Sequence, residues 1–145
     1  MKISINIDAS LNDTEIQIRC PQLTPETERL IAAIRMLDSK MTVIKDGEAF
    51  ILEIADIAYI ETVDRKTFVY TASECYETKL RLHETEERLC GIGFLRVSKS
   101  CLVNLKHIRS IRAELNRRLR LTLENGEQLI VSRQYADEIK ARLEV

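Results

Sequence analysis

Basic side chains and short hydrogen-bonding side chains occur together in three stretches of the chain, each at the end of a predicted strand. In chain order the stretches are VDRKTF, with Arg65, Lys66 and Thr67; LRVSKSCLVN, with Arg96, Ser98, Lys99, Ser100 and Asn104; and VSRQY, with Ser132 and Arg133. Arginine can hydrogen-bond bidentately to the O6 and N7 acceptors of guanine, and lysine can reach the same atoms as a point donor. Serine and asparagine suit phosphate oxygens. Each stretch alone is weak evidence, but together they favour an anionic, acceptor-rich ligand.

The charge of the chain is distributed unevenly. The formal net charge is −1, yet residues 93–120 hold eight basic residues against a single acidic residue, Glu114. The remainder of the chain is acidic on balance. A local excess of positive charge in an acidic protein indicates either a surface for a polyanion or a solvated face.

Residues suited to catalysis or metal binding are scarce. The chain has two histidines, His83 and His107, without the Ser/His/Asp arrangement of nucleophilic catalysis. Its four cysteines lack the paired spacing of a zinc site or a disulfide framework. The Gly91-Ile92-Gly93 stretch is better explained as a helix stop than as a nucleotide-binding loop. We therefore expect no enzyme activity, metal, cofactor or small-molecule substrate.

The apolar pattern of residues 1–43 predicts an N-terminal extension of α+β type. Alternation at residues 3–7 and 16–18 predicts an opening hairpin. A helix follows, for which Thr24 is the expected N-cap and Pro25 the first residue. The residues expected to form its apolar stripe are Leu30, Ile34, Leu37 and Met41.

Residues 44–145 predict a second region, mainly β, with short helices. Asp46-Gly47 and Asn125-Gly126 mark turns, and the second is expected to be type I′. Arg118 and Arg120 should point outward from the strand that precedes Asn125, where they either contact phosphate or solvate the outer face. No apolar run approaches a membrane span, and the N-terminus does not have the pattern of a signal peptide, so we expect a cytoplasmic protein.

Five stretches together resemble the LytTR family of bacterial transcription-regulator DNA-binding domains. They are IAYIETVDRKTFVYT, ETKLRLHETEERL, FLRVSKSCLVNLKHIRSI, LTLENGEQL and VSRQY, and the resemblance that they carry covers roughly residues 51–143. The specific part of the resemblance is the order F-x-R-V-x-K-S, V-N-L, an Asn-Gly hairpin and V-S-R. The shorter pieces alone would not be specific.

The resemblance implies an elongated, mainly β fold in which loops, and not a recognition helix, enter the major groove of DNA. By position, it implies base contacts from Lys66, or its neighbours Arg65 and Thr67, and from Lys99 and Arg133. Many members have histidine at the position of Ser98 and arginine or asparagine at that of Lys99, which leaves open the base that Lys99 contacts. The candidates for phosphate contact are Arg96, Ser98, Ser100, Lys106, Arg118, Arg120 and Ser132. For Asn104 we favour a structural role in a turn.

The expected function is that of a sequence-specific regulator of transcription that binds double-stranded DNA. The resemblance implies imperfect direct repeats as targets, so that two molecules occupy one site, and residues 1–43 are the candidate module for a homodimer. Those residues resemble the leader of stand-alone members without a receiver domain, which often operate beside a membrane protein; such a regulatory partner is a further hypothesis. The alternative is an adaptor that sequesters a membrane or signalling partner without DNA readout. RNA binding is disfavoured, because exposed aromatic stacking platforms are lacking.

Overall fold

The computed structural model describes residues 1–37 and 39–145. In this part of the chain, three helices and ten strands form. The helices are α1 (Pro25–Leu37), α2 (Leu82–Leu89) and α3 (Arg133–Leu143). The strands are β1 (Lys40–Lys45), β2 (Glu48–Glu53), β3 (Tyr59–Val63), β4 (Lys66–Tyr70), β5 (Cys75–Thr78), β6 (Phe94–Ser98), β7 (Cys101–Asn104), β8 (Ile108–Ala113), β9 (Leu119–Leu123) and β10 (Gln128–Val131). The predicted fold class, mainly β with short helices, is confirmed.

The strands form two antiparallel sheets. The larger has the order β2-β1-β5-β4-β3-β7-β6, and the smaller has the order β10-β9-β8. Most neighbours in the larger sheet are joined by hairpins, but the β3–β7 pairing closes a long connection through β4, β5, α2 and β6. This pairing brings residues far apart in the sequence to the same end of the sheet.

The larger sheet is covered on both faces by apolar layers. Phe94 and Leu102 face one layer, where they pack with Met36 of α1 and Leu89 of α2. Alternate residues of the same two strands face the other layer, which contains the smaller sheet and α3. Members of this second layer include Leu95, Val97, Val103, Leu121 and Ile139. Strands buried on both faces need near-continuous apolar sequence, which explains the FLRV and CLVN runs.

The predicted N-terminal hairpin is not formed among the described residues. Residues 1–24 contain no strand, and Ile3, Ile5 and Ile7 are 82, 87 and 90% exposed. Alternation produces a stable strand only when a partner satisfies the backbone and another surface covers the apolar face, and this segment has neither here. The first hairpin is β1–β2, on the C-terminal side of the helix.

The predicted helix is confirmed, but its apolar stripe is partly wrong. Thr27 N donates to Thr24 Oγ1 at 3.2 Å, the expected cap. The helix ends at Leu37, which is exposed, and Met41 belongs to β1. The buried residue of α1 is Met36, which anchors the helix to the core. Periodicity alone could not show where the helix ends.

The Asn125-Gly126 hairpin is confirmed, but its turn is not type I′. Leu123 N donates to Glu127 O at 2.8 Å, and Gly126 has a φ of +90° while Asn125 does not have a positive φ. That combination is a type I turn followed by a left-handed glycine in a bulge.

No helix among the described residues is both long enough and apolar enough to cross a membrane.

Candidate nucleic-acid interface

The β3–β4 and β6–β7 turns lie side by side at one end of the larger sheet. Glu61 of β3 pairs with Cys101 of β7, so the end of β3 and the start of β7 are adjacent. Thr62 N donates to Ser100 O at 2.9 Å. Arg65 and Lys99, from the first and second basic stretches, are therefore exposed at the same end of the sheet.

The third basic stretch joins the same end through β6. Ser132 N donates to Val97 O at 2.9 Å, one residue before the end of β6. Ser132 is the N-cap of α3, although its side chain makes no cap bond, and Arg133 is the first residue of the helix. The sequence placed Arg133 just before the helix, so the structure moves it by one position. The start of α3 therefore fixes the direction in which the chain at Arg133 turns away from the sheet.

A fourth segment, which connects β8 to β9, completes this end. Leu119 pairs with both Ala113 and Val131, so Arg118 lies beside the start of α3. Arg118 and Arg133 line a common surface depression with Asn116. We refer to residues 64–66, 98–100, 116–118 and 132–133 together as the basic end.

A groove of about 290 Å³ adjoins the basic end between α3 and the β8–β9 connection. Arg117 and Lys140 line it together with Arg118 and Arg133. Sequence reasoning did not select Lys140, which stands seven residues after Arg133 and so on the same side of the helix. A helical projection of the VSRQY stretch and the residues after it could have found this position.

Several basic-end residues adopt a left-handed backbone that side chains usually avoid. Arg65 has a φ of +67°, Asn116 of +60° and Arg117 of +62°. Such a conformation costs about 1–2 kcal/mol for a residue with a side chain. Strained residues of this kind are often found at functional sites, where the surrounding structure holds them in place.

Two of the candidate residues, Thr67 and Lys106, are not displayed at the basic end. Thr67 is only 4% exposed, and its hydroxyl lies 3.4 Å from that of Thr62 on the neighbouring strand. Lys106 lies beyond the other end of β7, where Leu105 N donates to Gly93 O at 2.9 Å. The alternation of side chains along β4 buries Thr67, and the direction of β7 carries Lys106 away from the basic end. Neither can be read from the basic stretch alone.

Arg96 and Arg120, two of the phosphate candidates, are engaged within the protein. Arg96 is 15% exposed in its side chain and binds Glu86. Arg120 donates to Glu114 and, at 2.8 Å, to Gln128 Oε1. The hydrogen bond from Arg120 lowers the pKa of Glu114, which keeps that carboxylate ionised. Both guanidinium groups therefore have an anionic partner already.

The remaining polar residues have clear local roles. Ser98 Oγ accepts a hydrogen bond from Ser100 N at 3.2 Å and shapes the β6–β7 turn. Asn104 is fully buried, donates to Ile57 O at 2.9 Å and accepts from Lys106 N at 3.1 Å. The structural role that we favoured for Asn104 agrees with these contacts.

Comparison with known proteins gives a consistent family assignment. Residues 47–144 match the model of the LytTr DNA-binding domain. An uncharacterized HTH-type transcriptional regulator of Staphylococcus aureus (strain NCTC 8325) is 29% identical over 147 residues, covering 100% of this chain and 99% of the relative. A similarly described regulator of the bovine strain RF122 is 30% identical with the same coverage.

A solved structure supports the same assignment. The LytTr DNA-binding domain of a putative methyl-accepting/DNA response regulator from Bacillus cereus is similar, with a TM-score of 0.70 and 28% identity, over 74% of this chain and 99% of that one. The chain therefore belongs to the LytTr DNA-binding domain family and is a DNA-binding regulator.

Proposed function

We propose that this protein is a sequence-specific transcriptional regulator whose basic end reads the major groove of double-stranded DNA. The observation that carries the proposal is the convergence of the three basic stretches, separated by up to 68 positions in sequence, at one end of the fold. The major groove is about 12 Å wide and admits a two-stranded ribbon. The β3–β4 and β6–β7 turns lie side by side and expose Arg65, Lys66 and Lys99, and Arg133 follows Ser132, whose backbone is hydrogen-bonded to β6.

The description of the relatives as transcriptional regulators supports this proposal, but their description as HTH-type does not describe this chain. Within residues 1–37 and 39–145, α2 and α3 each adjoin strands and do not form a helix-turn-helix pair. Loops and a helix start are the available contact elements. A cytoplasmic location, where bacterial DNA is found, follows from the proposed function.

The test is selection of bound sequences from a random DNA pool, followed by titration of the selected duplex and of a random duplex. Arg133→Ala and Lys99→Ala should each lower the preference for the selected site by about 5- to 150-fold, the discrimination given by one good base contact. Loss of a phosphate contact would instead weaken binding to all sequences alike. The base assignments are wrong if both variants bind the selected duplex as the unaltered protein does.

We further propose that two molecules bind one site of imperfect direct repeats and that the N-terminal segment holds them together. The exposed isoleucines of residues 3–16 support this, because each leaves apolar surface in water that a second copy could cover. Deletion of residues 1–20 should lower the mass measured by light scattering, alone or on DNA. The deletion must stop before α1, since Met36 belongs to the core. An unchanged mass with normal DNA binding would contradict the proposal.

The same exposed segment favours a second candidate function, that of an adaptor for a membrane or signalling partner. In that case the selected duplex and a random duplex would bind equally weakly, and deletion of residues 1–20 would abolish capture of the partner. A large preference for the selected duplex, with a steep dependence on salt, would eliminate the pure adaptor. A regulator with a membrane-protein partner would show both the DNA preference and the partner binding.

A further inference from the structure

Arg96 lies near the basic end but faces inward. It belongs to β6, and its Nη1 donates to Lys99 O at 2.6 Å. Its Nη2 donates to Glu86 Oε1 of α2 at 3.2 Å. The side chain thus joins the helix α2 to the backbone of the residue proposed to contact a base.

In the part of the chain that the structure describes, three hydrogen bonds hold the β6–β7 turn in addition to the pairing of Ser98 with Cys101. Ser100 N donates to Ser98 Oγ at 3.2 Å, and Thr62 N donates to Ser100 O at 2.9 Å. Those two bonds hold the residues on either side of Lys99. The bond from Arg96 is the one made to Lys99 itself, and it fixes the plane of the peptide that follows the Lys99 side chain.

The strand also departs from regular pairing at this place. The register between β6 and β7 shifts between Arg96 and Ser98, so the ladder does not continue regularly into the turn. Irregularities of this kind redirect the following residues, and they need other contacts to hold the new direction. The Arg96 side chain supplies such a contact.

We propose that Arg96 is a positioning residue that aims Lys99 at DNA, with Glu86 orienting and neutralising its guanidinium group, and that Arg96 does not itself bind phosphate. The proposal rests on the proposed function of Lys99 for its effect on DNA readout. The planar guanidinium can hold two acceptors in one fixed geometry, which a lysine ammonium group cannot.

The remaining donor of Arg96 supports a role beyond stability. Arg96 Nε is buried without a hydrogen-bond partner among the described residues. A buried donor left unpaired is destabilising, and replacement of a buried ionic side chain by an apolar one of similar volume is often neutral or stabilising. Stability alone therefore gives no reason for an arginine at this position.

The first test compares Arg96→Met, Arg96→Lys and Arg88→Met in binding to the selected and random duplexes. Arg88 is an exposed residue of the same helix as Glu86, so Arg88→Met controls for the lost charge. Both Arg96 variants should lose about ten-fold in preference for the selected duplex, with thermal stability close to that of the unaltered protein and the salt slope unchanged. Arg88→Met should keep the preference.

A phosphate contact by Arg96 predicts different results. Arg96→Lys would then keep most of the affinity, and Arg96→Met would weaken both duplexes and reduce the salt slope by about 0.9 for the lost contact. Either result overturns the positioning role. A purely structural role predicts a fall in stability with the sequence preference unchanged, and that result also overturns it.

Coupling to Lys99 provides the second test. If Arg96 acts through Lys99, Arg96→Met should have no further effect on the preference in a Lys99→Ala background. Equal, additive losses in the two backgrounds would contradict the proposal.

Amide hydrogen exchange separates a failure of this inference from a failure of the proposed function. Arg96→Met should accelerate exchange at Ser100 and Cys101, the residues next to the released peptide, with or without DNA. If Lys99→Ala has no effect on DNA binding while exchange at these amides accelerates in Arg96→Met, the base contact is wrong, and what stands is that Arg96 fixes the peptide of Lys99. Unchanged exchange in Arg96→Met overturns the positioning role.

Discussion

The basic residues of positions 93–120 differ in what their charge is available to do. Arg96 and Arg120 are bound to Glu86 and Glu114, whereas Lys99, Arg117 and Arg118 are exposed. Charge counted along the sequence therefore overstates the charge that a ligand meets. Replacement of a buried ion pair by apolar side chains is often neutral for stability, so the paired arginines matter more for the geometry that they impose.

Asn104 yields a prediction about stability that does not depend on DNA. Asn104→Ala leaves the buried Ile57 carbonyl without its donor, which costs about 1–3 kcal/mol, and it also removes the acceptor of the N–H of Lys106, an exposed residue. Urea denaturation should show this loss, while Asn12→Ala, in the exposed N-terminal segment, should show none. A free energy of unfolding for Asn104→Ala within 0.5 kcal/mol of the unaltered protein, roughly the scatter of surface substitutions, would contradict the assigned role.

At the scale of elements, two hairpin turns have the same backbone form but different sequences. Asp46-Gly47 and Asp64-Arg65 both have two consecutive positive φ angles, as in type I′ turns. Glycine suits the second position, and arginine does not. The β3–β4 turn is thus formed with an unfavourable residue at the position where a basic side chain is exposed.

Arg65→Gly should separate stability from binding at this turn. Relief of the left-handed backbone should raise the free energy of unfolding by up to about 1 kcal/mol. The gain is reduced by the larger conformational entropy that glycine has in the unfolded chain. The same change should weaken DNA binding. Arg65→Ala is the matched control, since it removes the guanidinium group but keeps the strain; it should weaken DNA binding without the gain in stability. A loss of stability in Arg65→Gly would argue against strain at this position.

At the scale of the whole molecule, α1 and β1 belong to the fold that carries the basic end. Met36 packs with Phe94, and β1 pairs with both β2 and β5. The predicted division at residue 43 falls within β1, and the family match begins at residue 47. The role of residues 1–43 as an oligomerisation module stays a proposal. The segment relevant to that proposal is the exposed part before α1.

Burial of ionisable groups in the core predicts a loss of stability at alkaline pH. Burial raises the pKa of the Cys101 thiol from 9.0 to about 12, and burial likewise raises that of Tyr70 from 10.0 to about 12. Because the folded state retains these protons more tightly than the unfolded chain, the stability is fully present below about pH 9 and is lost as pH rises toward 12.

Cys101→Ala should flatten this dependence, as measured by thermal unfolding between pH 9 and about pH 12, the range between the ordinary and the raised pKa of the thiol. Cys20→Ala, at an exposed cysteine, is the control and should leave the slope unchanged. Identical slopes for both variants would show that the Cys101 thiol does not contribute.

Local features of the sequence were sufficient for most of the elements. The Thr24 cap, the Asp46-Gly47 turn and the closing helix each rest on interactions within a few residues, which is why they could be predicted. The N-terminal hairpin failed because a strand also needs a partner and a covering surface. The exact turn at Asn125-Gly126 failed because its form depends on the pairing of β9 with β10.

The sequence by itself determined the residue types of the site, the excess of basic residues and the resemblance to the family, since these are properties of composition and order. Only the tertiary structure decided which of those residues share a surface. The β3–β7 pairing and the Ser132–Val97 hydrogen bond gather Arg65, Lys99 and Arg133. The direction of β7 places Lys106 at the opposite end of the larger sheet, and the side chain of Arg96 is largely buried against Glu86. Such contacts join residues distant along the chain, so no local pattern specifies them.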